Sequence, residues 1–140
     1  MKVQYQCPKC EAYLRVRDNI ILTVKSPVSG SQGVVLLHPE LGNYTFLVHP
    51  NLHFEKGEAC EFHCPVCFEN LAAREINDNL VRIVMTDGNG VQFDVYFSRI
   101  AGERSTFKVE NRDIIETFGE DSSGYMAYFS RRLEESIKTR

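Results

Sequence analysis

Tyr5-Gln6-Cys7-Pro8-Lys9-Cys10-Glu11-Ala12-Tyr13-Leu14 returns 57 residues later, without gaps, as Phe62-His63-Cys64-Pro65-Val66-Cys67-Phe68-Glu69-Asn70-Leu71. Each copy carries Cys-Pro-x-Cys, an aromatic two residues before the first Cys, and a Leu four residues after the second. Such a turn is tight, so two sulfurs converge on one ion, and its backbone N–H groups can point at the sulfurs and stabilise their charge. Two turns supply four thiolates, from Cys7, Cys10, Cys64 and Cys67. That is enough for a tetrahedral ion with metal–sulfur distances of about 2.3 Å. The repeated aromatic and Leu are expected to clamp both knuckles into one small core around the ion.

The rest of the composition fits this reading. The chain has 140 residues, 43% hydrophobic and 25% charged, as one globular domain or two very small ones with a common core would. Five cysteines is an odd number, and Met1-Lys2 leads into mixed polar sequence rather than an export signal. Both facts argue against a disulfide framework, place the chain in the reducing cytoplasm, and make paired Cys-x-x-Cys motifs a metal site. The longest apolar runs, Val34–Leu37 and Ile20–Leu22, are too short to span a bilayer, so no membrane association is expected. The net charge is −3, with five basic against two acidic residues in 1–36 and two against seven in 37–79. The small basic excess at the start (Lys2, Lys9, Arg15, Arg17, Lys25) leaves nucleic-acid binding open but not favoured.

The two knuckles resemble those of the zinc-ribbon and rubredoxin-like class, with the segment between them as a long insertion. They are also similar to small bacterial proteins that carry two Cys-Pro-x-Cys knuckles and a β-rich tail. The resemblance implies metal ligation by Cys7, Cys10, Cys64 and Cys67 and no further site residue. One zinc ion per chain is expected, with iron the less favoured alternative, because four soft sulfurs accept either. Rubredoxins usually place Gly directly after the second Cys of each knuckle, where this chain has Glu11 and Phe68. That departure favours structural zinc. Independent redox dithiols would need a helix start in a βαβ setting, which neither pair has.

Cys60, four residues before Cys64, reads as a partly buried strand thiol. The nearby Glu58 and Glu61 would raise its pKa rather than activate it. The four histidines read as strand-end and turn residues. Leu37-His38-Pro39 is echoed by Val48-His49-Pro50, and Pro50 denies His49 and His53 a shared helix face. His63 is expected to point away from the metal.

Strands are expected at 3–6, 13–17, Asn19–Ser26, Val34–His38, Tyr44–Val48, Ala59–His63 and Leu80–Thr86. Asp87-Gly88-Asn89-Gly90 is a hairpin turn into Val91–Ser98, whose alternation predicts one buried face and one wet face. Ser105–Val109 and Asp113–Phe118 read as a second hairpin, the latter alternatively as a short helix. Tyr125, Phe129, Leu133 and Ile137 form a helical stripe that should dock on its own sheet or on a partner chain. The fold class is mainly β: a zinc-ribbon-like metal core with an inserted antiparallel sheet, then a C-terminal β meander and a terminal α-helix. Residues 1–75 form the expected metal-binding unit and 76–140 the hairpin-rich unit, packed together.

No G-x-S-x-G, P-loop, G-x-G-x-x-G or H-E-x-x-H motif is present, so no enzyme is expected. A closed four-thiolate site leaves no position for substrate and points to a structural ion in a binding or adaptor protein with a protein partner. The alternative is a redox protein, either a one-iron electron carrier or a zinc–thiolate sensor with Cys60 as resolving thiol.

Overall fold

The structure, a computed structural model, describes residues 3–129. Its strands are β1 (Gln4–Gln6), β2 (Arg15–Val16), β3 (Asn19–Lys25), β4 (Gln32–Leu37), β5 (Phe46–Val48), β6 (Glu61–His63), β7 (Leu80–Thr86), β8 (Gln92–Ser98), β9 (Thr106–Glu110) and β10 (Asp113–Phe118). They make two antiparallel sheets. One has the order β1-β7-β8-β9-β10, the other β2-β3-β4-β5 with β6 on β3. The fold is mainly β, as the alternation predicts. Leu133, Ile137, Lys2 and the charged residues Arg131, Arg132, Glu134 and Glu135 lie outside the described residues.

Local chemistry sets the hairpins. The Asp87 carboxylate accepts the N–H groups of Asn89 (2.9 Å) and Val91 (3.0 Å), and Gly90 takes φ 82°, which registers Thr86 opposite Gln92. Asn111 and Arg112 both have positive φ, at 48° and 73°, the pattern of a two-residue hairpin turn. Asp113–Phe118 is therefore a strand on β9 rather than a helix.

β3 brings the knuckles together. β4 pairs along it from Ile20 to Lys25, which occupies one edge. Its other edge takes β2 at Asn19–Ile20 and β6 at Thr23–Lys25. The strand leaving the first knuckle and the strand entering the second thus lie end to end on one splint. Across this sheet pack the inner faces of β7 and β8, with Leu22, Val24 and Val35 in one core with Val81, Ile83 and Val95.

The expected wet face of β8 is a correction. Tyr96, which with Gln92, Asp94 and Ser98 makes the face expected to be wet, is buried with Leu80, Phe107 and Val109 beneath Tyr125 and Phe129. Phe129 packs edge-on to Tyr96 (5.1 Å) and against Phe107 (4.3 Å). The alternation marks two faces correctly. It does not show that a segment thirty residues later covers the second.

A buried polar knot ties the end of the insertion to the β3–β4 connection. Glu58 is buried, and its carboxylate accepts Ser26 Oγ, the Glu55 N–H (3.0 Å) and the Val28 N–H (3.4 Å). The Ser26 hydroxyl, then the Glu55 N–H, hold this carboxyl below its usual range against the opposing effect of burial.

Two predictions follow from this packing. Phe129→Ala should lower the unfolding free energy by about 3 kcal/mol in a denaturant titration, while Met126→Ala on the exposed side changes it by less than about 0.5 kcal/mol. A carboxyl with a lowered folded-state pKa stabilises the fold above its ordinary value and loses that contribution as pH falls through the lowered one. Glu58→Gln should therefore lower the melting temperature at pH 7, and the gap to the parent chain should close as pH drops below the ordinary glutamate value of 4.5. A gap independent of pH would show that the charge does not matter.

Candidate metal centre

The sulfurs of Cys7, Cys10, Cys64 and Cys67 lie within 4.8 Å of one another. Cys7 Sγ is 3.8 Å from Cys67 Sγ, and Cys10 Sγ is 3.7 Å from Cys64 Sγ. Four sulfurs at about 2.3 Å from a central ion stand about 3.8 Å apart if the arrangement is tetrahedral. Both of these contacts run between the knuckles, as one shared site requires.

The two knuckles are built from the same bonds. Cys7 N–H donates to Ala12 O (3.0 Å) and Cys64 N–H to Glu69 O (3.1 Å). Glu11 N–H donates to Cys7 O and Phe68 N–H to Cys64 O, both at 3.0 Å. Leu14 N–H reaches Tyr5 O (2.8 Å) and Leu71 N–H reaches Phe62 O (2.9 Å), so the repeated aromatic and Leu close each loop. Two N–H groups aim at the first sulfur of each knuckle: Lys9 and Cys10 at Cys7 Sγ (3.3 and 3.4 Å), Val66 and Cys67 at Cys64 Sγ (3.3 and 3.5 Å).

The sequence reading missed how each knuckle ends. Glu11 and Phe68 both take φ 64°, the left-handed conformation for which Gly is usual. The side chain just before the first Cys then holds the carbonyl of that residue: Gln6 Nε2 donates to Glu11 O (2.9 Å), and His63 Nδ1 lies 3.1 Å from Phe68 O. That side chains able to donate occupy both aligned positions, 6 and 63, was the available signal. The backbone that Gly would give is present without Gly, so its absence does not separate zinc from iron.

Electrostatics alone do not hold four thiolates here. Burial pushes the Cys7 thiol up to about 12, against the N–H groups of Cys10 and Lys9. At Cys64 burial also acts upward, but the N–H groups of Cys67 and Val66 and the neighbouring thiols outweigh it and leave that thiol lowered. The backbone N–H groups serve Cys7 and Cys64 alike, and it is the hydrogen bonds from the neighbouring thiols that favour an anion at Cys64. A cation among the sulfurs deprotonates the rest outright.

Cys60 is buried outside the cluster. Its pKa is pushed up to about 11 by burial, then by Glu58, with Arg99 opposing, so it is a poor nucleophile or resolving thiol. His38 and His49 each accept the N–H two residues on, from Glu40 (3.1 Å) and Asn51 (3.0 Å). They end β4 and β5, which run antiparallel, so the echo places them at opposite ends of a hairpin. The four cysteines are the one such cluster among the described residues. Among those residues no helix is long and apolar enough to cross a membrane. Comparison with known protein families, with curated proteins and with solved structures finds no match.

The left-handed φ at Phe68 costs roughly 1–2 kcal/mol for a residue with a Cβ, and its ring is 72% exposed, with little packing to lose. Phe68→Gly should keep the metal and stabilise the fold by up to about 1 kcal/mol, after the added freedom of unfolded Gly. Phe68→Ala should give no such gain in the same melting experiment.

Proposed function

We propose that Cys7, Cys10, Cys64 and Cys67 hold one zinc ion as a structural staple, and that the chain serves as a binding or adaptor module for a protein partner. The observation that carries the reading is the set of four sulfurs within 4.8 Å of one another, two pairs at 3.7 and 3.8 Å, which no other His, Cys, Asp or Glu among the described residues joins. The staple joins Cys10 and Cys64, with 53 residues between them, a loop whose closure removes about 4 kcal/mol of unfolded-state entropy. The adaptor role draws support from apolar side chains left in water beside the cysteines. Tyr13 is 70% exposed, and Val66 and Phe68 are exposed as well. Arg15 supports nucleic-acid binding less, because it is spent on Val3 O, Arg17 O and Asp18.

One observation favours a second reading. Cys10 is exposed, so a one-iron centre here would have a sulfur at the surface through which an electron could pass.

Elemental analysis and a visible spectrum of the freshly purified chain decide between them. One zinc per chain with no colour, together with a Cys64→Ser variant that loses the metal and much of its thermal stability, is the expected result. One iron with visible absorption replaces the first reading by the second. No metal, or a Cys64→Ser chain with unchanged melting, overturns the staple.

A further inference from the structure

The two sheets do not close on each other everywhere. Between them lies a cleft of about 650 Å³, inside the range of roughly 300–1,000 Å³ typical of small-molecule sites. Val24, Val35 and Leu52 wall one side, and Ile83, Val95 and Phe97 the other. The cleft is half open to solvent, and Val24, Val35, Ile83 and Val95 at its floor belong to the packed core behind it.

The frame is held. The segment 38–46 and the β8–β9 connection both line the cleft. Tyr44 Oη and Thr106 Oγ1 bond across them at 2.7 Å, and Tyr5 Oη donates to Pro39 O at 2.6 Å. Gly42 sits against the Phe118 ring, and a Cβ at Gly119 would collide with Arg104 O, so the far edge is clasped as well. Gly57 N–H to Ala101 O, Ala101 N–H to Glu58 O and Cys60 N–H to Arg99 O form a short backbone ladder that ties the insertion to the same connection.

The polar groups on the lining select the ligand. Lys56, Arg99 and Arg104 border the cleft, and none is in an ion pair among the described residues. Arg99 is braced by two carbonyls, Asp78 O (2.8 Å) and Ala59 O (3.4 Å), contacts that fix its place and leave its charge uncompensated. Of the two carboxylates on the lining, Glu103 accepts Ser98 Oγ (2.7 Å) and Tyr125 Oη (2.6 Å), both on Oε1, and Glu40 stays at the surface, so three cations outnumber two acids. Ser105, also on the wall, carries the one buried side-chain polar atom among the described residues that lacks a hydrogen-bond partner. An orphaned hydroxyl of this kind calls for a ligand or an ordered water.

We propose that this cleft binds a small amphipathic carboxylate, with its apolar body between the sheets and its acidic group at the Lys56–Arg99–Arg104 rim beside Ser105. The apolar walls supply affinity and the cations supply direction. A neutral chain of equal length keeps only the first, and an amine meets like charge. The site is separate from the cysteine cluster and does not depend on which metal that cluster holds.

The test titrates the full chain, as purified with its metal, with decanoate, decanol and decylammonium while recording amide NMR spectra. Decanoate should saturate at about 10–100 µM, roughly tenfold tighter than decanol. The largest shifts should fall at residues 38–46 and 99–106. Lys56→Gln combined with Arg104→Gln changes two exposed side chains, and the same spectra report its fold. It should bring decanoate to within about threefold of decanol and leave decanol unchanged. Equal binding of all three probes overturns the acidic selectivity. Absence of saturation below about 1 mM, or shifts centred elsewhere, overturns the site.

Discussion

Four sulfurs drawn to within 4.8 Å of one another impose a constraint on everything around them. Anionic sulfurs at that range repel, and burial penalises their charge, so a cation is what lets the arrangement persist as thiolates. The chain meets the requirement by crossing between its two sheets at each knuckle. The first knuckle is entered from β1, paired with β7, and left through β2, paired with β3. The second is entered from β6, paired with β3, and followed by Ala72, bridged to Val81 of β7. The two crossings run in opposite directions and meet at the sulfurs.

This exchange explains why a repeated ten-residue motif yields one site rather than two. Each knuckle closes on itself with the same bonds, and the carbonyl that follows then docks a different strand. Leu14 O accepts Ile21 N–H (2.8 Å), and Leu71 O accepts Arg82 N–H (2.9 Å). Equivalent atoms thus hand the chain to opposite sheets. A closed metal site at the crossing acts on both sheets together, as a cross-link is expected to do where the core is small.

Much of this was legible because short-range chemistry dictates it. The gapless alignment of residues 5–14 with 62–71 identifies the four ligands, since tight Cys-Pro-x-Cys turns have few other uses. Turn residues at 87–90 and 111–112 fix two hairpins, and β7 and β10 have the bounds expected of them, Leu80–Thr86 and Asp113–Phe118. What stayed hidden depends on partners distant in sequence. Tyr96 reads as solvent-facing until Phe129 arrives over it. Glu11 and Phe68 do not look like left-handed residues, because the carbonyl contacts from Gln6 and His63 and the flanking knuckle bonds impose the conformation from outside. The cleft is invisible for the same reason: its walls are ordinary strand residues, and only their separation makes a space.

That cleft bears on what a metal ion bound at the four cysteines would add to a chain this size. A domain held only by interdigitated side chains closes any gap between its sheets, because each lost contact is a loss of stability. A domain whose sheets are joined by the cysteine cluster, by the ladder between residues 57–60 and 99–101, and by the Tyr5 and Tyr44 hydroxyls draws on contacts that do not require the interior to be full. These joints act at fixed points and leave a cleft beside the packed faces of β3, β4, β7 and β8. Cross-linking and an open interior are then two aspects of one solution. An ion held by the four sulfurs would fix where the sheets meet, so the fold would tolerate a place where they do not.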